Sequence, residues 1–242
     1  MASQITTINI PQNLKMKRLN LFCTALFAVA SFTGNAQINQ TPVYAGGSQI
    51  SSVSGEKAMA ATGTMFTNDK YMPAKLSNND KVILLRYNAY ADHFEMSNPE
   101  EQKVRSLPKM DGVTITFTNS GEVYTLQNYK TDGAESINGY LNVISDNPKI
   151  KIYKRERVYM QQGTTASNSY QTSKAPAYKR ASDEFYVKVG DAEATYFDSK
   201  KDFAKLVPAK SKEVLEFIKT NKINLENAAD LQKLGQYTNG IL

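Results

Sequence analysis

The sequence predicts a mainly β protein, built as an antiparallel meander or a curled, rolled sheet and finished by a small C-terminal helical cap. Three observations predict it. Short runs rich in β-branched and aromatic residues recur between positions 81 and 189. Turn-forming residues separate them, and no helical pattern lies between. After Phe197 the hydrophobic period changes from about two towards about 3.6 residues.

The elements follow in order. Residues 81–91 (KVILLRYNAYA) have the length and composition of a strand, with Val82, Ile83, Leu84 and Leu85 dense enough for burial on both faces. Residues 113–118 (VTITFT) alternate cleanly: Val113, Ile115 and Phe117 share one face and three threonines the other. Similar runs stand at 94–96, 103–107, 122–129, 140–144, 150–160, 178–180 and 184–189. Asp92, Pro99, Asp111-Gly112, Asn119-Ser120-Gly121, Asp132-Gly133, Asp146-Asn147-Pro148 and Gly190-Asp191 supply the backbone geometry that tight turns need. Strands joined this way fold as hairpins, not as βαβ units. Residues 161–176 (QQGTTASNSYQTSKAP) are too polar and too long for an ordinary hairpin loop and read as a mobile flap or a disordered segment.

The tail reads as helices. Asp198 or Ser199 can cap a short one through Leu206, with Asp202 placed as in a capping box. Pro208 opens a second, whose stripe is Val214, Leu215, Phe217 and Ile218, and Asn224 can cap a third carrying Leu225, Ala228, Leu231 and Leu234. An amphipathic unit this short packs by default against its own sheet.

The amino-terminal end carries an address. Lys17 and Arg18 precede an apolar run at 19–30, inside the range of about 7 to 15 residues for a signal-peptide core and short of the roughly 20 that cross a bilayer. Cleavage is expected between Ala36 and Gln37, with Met16 the natural start of the signal. The expected organisation is therefore a signal peptide at 1–36, an extended or disordered leader at 37–63, an antiparallel β domain at 64–197 and a helical cap at 198–242. The chain has 29 basic and 23 acidic residues; losing 1–36 removes Lys15, Lys17 and Arg18 but no acid, leaving 26 against 23. Cys23 leaves with the signal, so the processed chain has no thiol. No transmembrane segment is expected in it, and its expected location is periplasmic, outer-membrane-associated or extracellular.

Composition narrows the chemistry. With one histidine and no cysteine after processing, neither a three-His zinc site nor a thiol nucleophile can be assembled within one copy. His93, between Asp92 and Glu95, reads as a turn or strand-edge residue. No catalytic residue, metal site or cofactor is expected. Hydrolysis by paired carboxylates stays open, although Glu100 with Glu101 and Glu213 with Glu216 lack the apolar setting that keeps one acid protonated. If 150–160 is one strand, Lys151, Tyr153, Arg155, Arg157 and Tyr159 form a cationic, aromatic stripe suited to anionic glycan. The same composition also serves an exposed sheet face held by cross-strand pairs. Nucleic acid is disfavoured for an exported chain of small net charge.

Residues 63–96, with their LRYNAY strand, and 199–237, with FIKTNK and DLQKL, resemble a group of uncharacterised exported β-rich proteins of Bacteroidota. His93 stands where that group carries an acid. The resemblance implies a secreted β protein and no catalytic residues. The sequence thus points to a non-enzymatic structural or ligand-binding component of the periplasm or cell envelope, with a carbohydrate-active hydrolase or an interaction module of an outer-membrane complex as alternatives.

Overall fold

The computed structural model describes residues 59–98, 103–168 and 170–242. The export signal, Ala36, Gln37, Glu100 and Glu101 lie outside the described residues. The protein is mainly β, with a helical cap at its C-terminus. The strands are β1 (Met72–Leu76), β2 (Asn79–Asn88), β3 (His93–Asn98), β4 (Lys103–Ser106), β5 (Thr114–Phe117), β6 (Val123–Lys130), β7 (Ser136–Asp146), β8 (Ile150–Arg155), β9 (Val158–Gln161), β10 (Ala177–Arg180), β11 (Glu184–Val189) and β12 (Ala194–Phe197). Helices α1 (Lys200–Lys205), α2 (Ser211–Thr220) and α3 (Ala228–Ile241) follow.

Ten strands form one sheet in the order β12-β11-β8-β7-β6-β5-β1-β2-β3-β4, and β9 and β10 form a separate two-stranded ribbon. Every neighbour along the large sheet is antiparallel. One further pairing is parallel: Ala194 and Thr195 of β12 lie beside Tyr129 and Lys130 of β6. It closes β6, β7, β8, β11 and β12 into a five-stranded ring, while β5 to β4 extend as a wing from the other half of β6.

Side-chain alternation sorts the ring into two faces. Ile150, Ile152, Val187 and Phe197 point outward to Phe203, Val214, Ile218, Leu231 and Leu234 of the helical cap. Since the helices cover that face, Tyr129, Leu141, Tyr153, Tyr186 and Ala194 fill the ring interior. The wing closes over the outer face of β6 and β7 with an aromatic core of Tyr87, Phe94, Phe117, Tyr124 and Tyr140. Asp92, in a positive-φ turn (φ 51°), ties wing to ring: its carboxylate accepts from Tyr87 Oη at 2.8 Å and from the Tyr140 amide at 3.0 Å. A Cβ on Gly139 would stand 2.7 Å from that carboxylate, so glycine permits the approach.

Several expectations are corrected. The single strand expected at 150–160 breaks after Arg155, and its second half joins β10 in the ribbon. Beyond β9 and β10, Thr164 and Lys174 exchange backbone hydrogen bonds at 2.9 and 2.7 Å and carry the ribbon's pairing further. The sequence reading passed over β1, which contains Pro73, and β12, which ends where the hydrophobic period changes at Phe197. The leader's end is laced to the ribbon, because Thr62 donates to Pro176 and accepts from Tyr178.

Ser199 caps α1 as expected, its hydroxyl accepting from the Asp202 amide at 3.1 Å. Pro208 opens a 3₁₀ turn, and α2 begins only at Ser211. Asn227, not Asn224, caps α3; its side chain accepts from the Asp230 amide at 3.1 Å, which leaves Leu225 before the helix and Ala228 exposed in its first turn. Helix α3 approaches β7 closely at Gly235, where a Cβ would lie 2.3 Å from Ser145 Oγ and 3.0 Å from its Cβ. Gly235→Ala is therefore expected to cost about 1 to 3 kcal/mol through overpacking, despite alanine's better helix propensity. Urea denaturation measures it.

Candidate contact face

The predicted stripe divides into two groups. Lys151, Tyr153 and Arg155 do share a face of β8, but it is the inward face of the ring. Tyr153 is 2% exposed. Arg155 meets Glu184 at 3.0 Å and lies over the Tyr129 ring at 5.3 Å, while Lys151 pairs with Asp146 at 2.5 Å. Tyr153 and Arg155 are structural contacts and not part of a free stripe, because closure by β12 covers their face, while Lys151 near the strand's start keeps 39% of its side chain exposed beside Asp146.

The electrostatics agree with that placement. Burial, partly opposed by Arg155, pushes the Tyr129 hydroxyl up to about 12. Burial raises Tyr153 further. At Glu184, burial alone would raise the carboxyl, but hydrogen bonds from Tyr186 and Arg157 and the nearby Arg155 charge hold it below the usual carboxylate range.

Arg157 and Tyr159 belong to the ribbon instead. Tyr159 lies opposite Lys179 in register, and the ladder continues through Arg157, whose carbonyl accepts from the Ala181 amide at 2.9 Å. Alternation puts Arg157, Tyr159, Gln161 and Lys179 on the ribbon's outward side, with Val158 and Tyr178 packed inward against the aromatic core. Tyr159 is 48% exposed. Arg157 reaches Glu184 and keeps part of its guanidinium in water, with 43% of its side chain exposed. No acid pairs with Lys179 among the described residues. The ribbon then runs outward to Tyr170, which is fully exposed. Sequence reasoning found Arg157 and Tyr159 but missed Lys179, although it lies in the short run at 178–180 that was read as a strand.

A buried carboxylate fastens this ribbon to the sheet. Glu156 occupies the break between β8 and β9 and accepts from Tyr124 Oη at 2.5 Å, Arg180 at 2.9 Å and Lys154 at 3.2 Å. Burial opposes its charge, yet the Tyr124 hydrogen bond and the two cations outweigh burial and hold its carboxyl below the usual range. Burial and the adjacent Glu156 charge in turn drive the Tyr124 hydroxyl far upward. Val158 adds a backbone bond to Ala89 at 3.2 Å.

Three described carboxylates share a cleft, without the setting of a hydrolytic pair. Asp132, Asp198 and Asp202 line a cleft of about 450 Å³ beside Tyr196. A hydrogen bond with Asp202 raises Asp198, and hydrogen bonds from Lys205 and Ser199 lower Asp202 to about 2. Both acids are open to water, so no low-dielectric wall keeps a proton on either. His93 stands on β3 with Nε2 3.8 Å from Glu95, which already holds Arg86 at 2.7 Å. Among the described residues no group of three or more His, Cys, Asp or Glu is placed to hold a metal ion. No described helix is long and apolar enough to cross a membrane.

Fold and site together define a mainly antiparallel β protein: a ring with a wing and a helical cap, presenting an exposed tyrosine between cations on a projecting ribbon. No family model, curated protein or solved structure matches the chain.

Proposed function

We propose that this is an exported, non-enzymatic ligand-binding component of the periplasm or cell envelope, and that the outward side of the β9–β10 ribbon takes anionic glycan. The observation that carries the reading is the half-exposed Tyr159 ring lying opposite Lys179 and beside Arg157. A sugar ring can stack on the phenol while its carboxylate or phosphate pairs with the flanking cations. The span from Arg157 to Gln161 is about 13 Å at roughly 3.3 Å per residue, which suits a short stretch of polysaccharide. Export rests on Lys17, Arg18 and the apolar run that follows. The resemblance to exported proteins of Bacteroidota supports the same reading.

The test is retention on an anionic glycan array. Tyr159→Ala combined with Lys179→Ala is expected to weaken retention roughly tenfold or more, and added salt to weaken the parent protein in the same direction. Lys151→Ala, on the inward face, is expected to leave retention unchanged. Equal retention by the parent and the double variant would overturn the proposal.

A further inference from the structure

A second site is built into the wing, away from the ribbon. Where the 67–70 loop faces the β5–β6 turn, the aromatic core opens to solvent through a pocket of about 80 Å³. Its floor is Met72, Leu85, Tyr87, Phe117 and Tyr124. Four of these are buried, Leu85 completely. Lys70, Arg86, Asn68, Asn119, Ser120 and Glu122 form the mouth. An apolar floor below a few polar groups is the general form of a small-molecule site.

Volume limits the occupant. A cavity of about 150 Å³ holds a benzene ring, and a water-sized group takes about 30 Å³. At about 80 Å³ the space here is roughly half of that cavity and admits about three heavy atoms, the isopropyl end of a branched chain and not an aromatic ring. Charge limits it further. Arg86 is already committed: Nε and Nη2 donate to Glu95 at 3.0 and 2.7 Å, and its guanidinium stacks on Phe66 at 3.6 Å. Among the described residues Lys70 has no acidic partner, and Glu122 accepts only from the Ser120 hydroxyl, at 3.1 Å, with no cation upon it. One free cation and one free carboxylate at a single mouth complement a zwitterion.

We propose that this pocket binds a branched aliphatic α-amino acid. The side chain enters between Leu85 and Phe117, Lys70 takes the carboxylate, and Glu122 takes the ammonium group. The site is independent of glycan binding by the ribbon.

Calorimetric titration of the purified full chain with L-valine and L-leucine tests it. Saturable binding is expected, with 3-methylbutanoate, which lacks the ammonium group, and 3-methylbutylamine, which lacks the carboxylate, each roughly tenfold weaker. Lys70→Gln and Glu122→Gln sit on exposed loops and leave the fold intact, and each is expected to weaken leucine binding roughly tenfold. Three results would overturn the proposal: no saturable binding of either amino acid at millimolar concentration, rim variants that bind as the parent does, or phenylalanine binding as tightly as leucine.

Discussion

Replacing Phe94 by alanine is expected to lower the free energy of unfolding by about 4 kcal/mol, the largest effect of any single substitution considered. Phe94 is 0% exposed and its ring meets Tyr87 and Tyr140 at 4.9 Å, Tyr124 at 5.4 Å and Phe117 at 6.1 Å. Those rings come from β2, β5, β6 and β7, so one side chain joins wing to ring. Alanine leaves a cavity that the surrounding tyrosines cannot collapse into, because the Tyr87 and Tyr124 hydroxyls are anchored to Asp92 and Glu156. Phe94→Leu, which keeps most of the volume, is expected to cost less than half as much. Urea denaturation of both variants gives the comparison. A loss below about 1 kcal/mol for alanine would mean that the wing does not depend on this core.

Replacing Glu156 by alanine is expected to cost about 3 kcal/mol. The lower end of the range for a broken buried ion pair applies, because Arg180 and Lys154 can still turn towards Asp183, at 3.0 and 3.9 Å. What cannot be recovered is the acceptor for the buried Tyr124 hydroxyl. Glu156→Gln keeps an acceptor there and removes only the charge, so it is expected to cost about half as much. Both variants should also be cleaved faster by protease within residues 161–176, since the junction that holds the ribbon is gone.

Proton linkage gives a separate readout on Glu156. Its folded-state pKa lies below the unfolded value, as does that of Glu184. Stability from these groups is present above the ordinary carboxylate pKa, about 4.3, and is lost as pH falls through the depressed folded value. The parent protein is expected to hold constant stability from neutral pH to about pH 5 and to lose it below that. Glu156→Gln should show a shallower acid limb. An identical limb would remove Glu156 from the ionised network.

Residues 150–160 show how much could be read in advance and where reading stopped. Alternation correctly placed Lys151, Tyr153 and Arg155 together. It could not say that the shared face would be enclosed, since enclosure depends on β12 reaching β6, 65 residues along the chain in the Tyr129↔Ala194 pair. Glu156 was equally hidden. Nothing local in residues 155–160 marks it, and only the approach of Tyr124 from β6 and Arg180 from β10 makes it a buried anchor. The wing pocket left no signal either, because its floor and mouth come from separate loops and strands.

From its sequence alone the chain declares antiparallel hairpins and an amphipathic helical tail, because period-two alternation, turn residues and capping side chains act over a few neighbouring positions. Tertiary structure alone decides which strand faces are enclosed, where β8 gives way to β9, and which cations stay in water. Those outcomes turn on partners tens of residues apart, whose meeting is set by competition for one shared interior and leaves no local pattern to read.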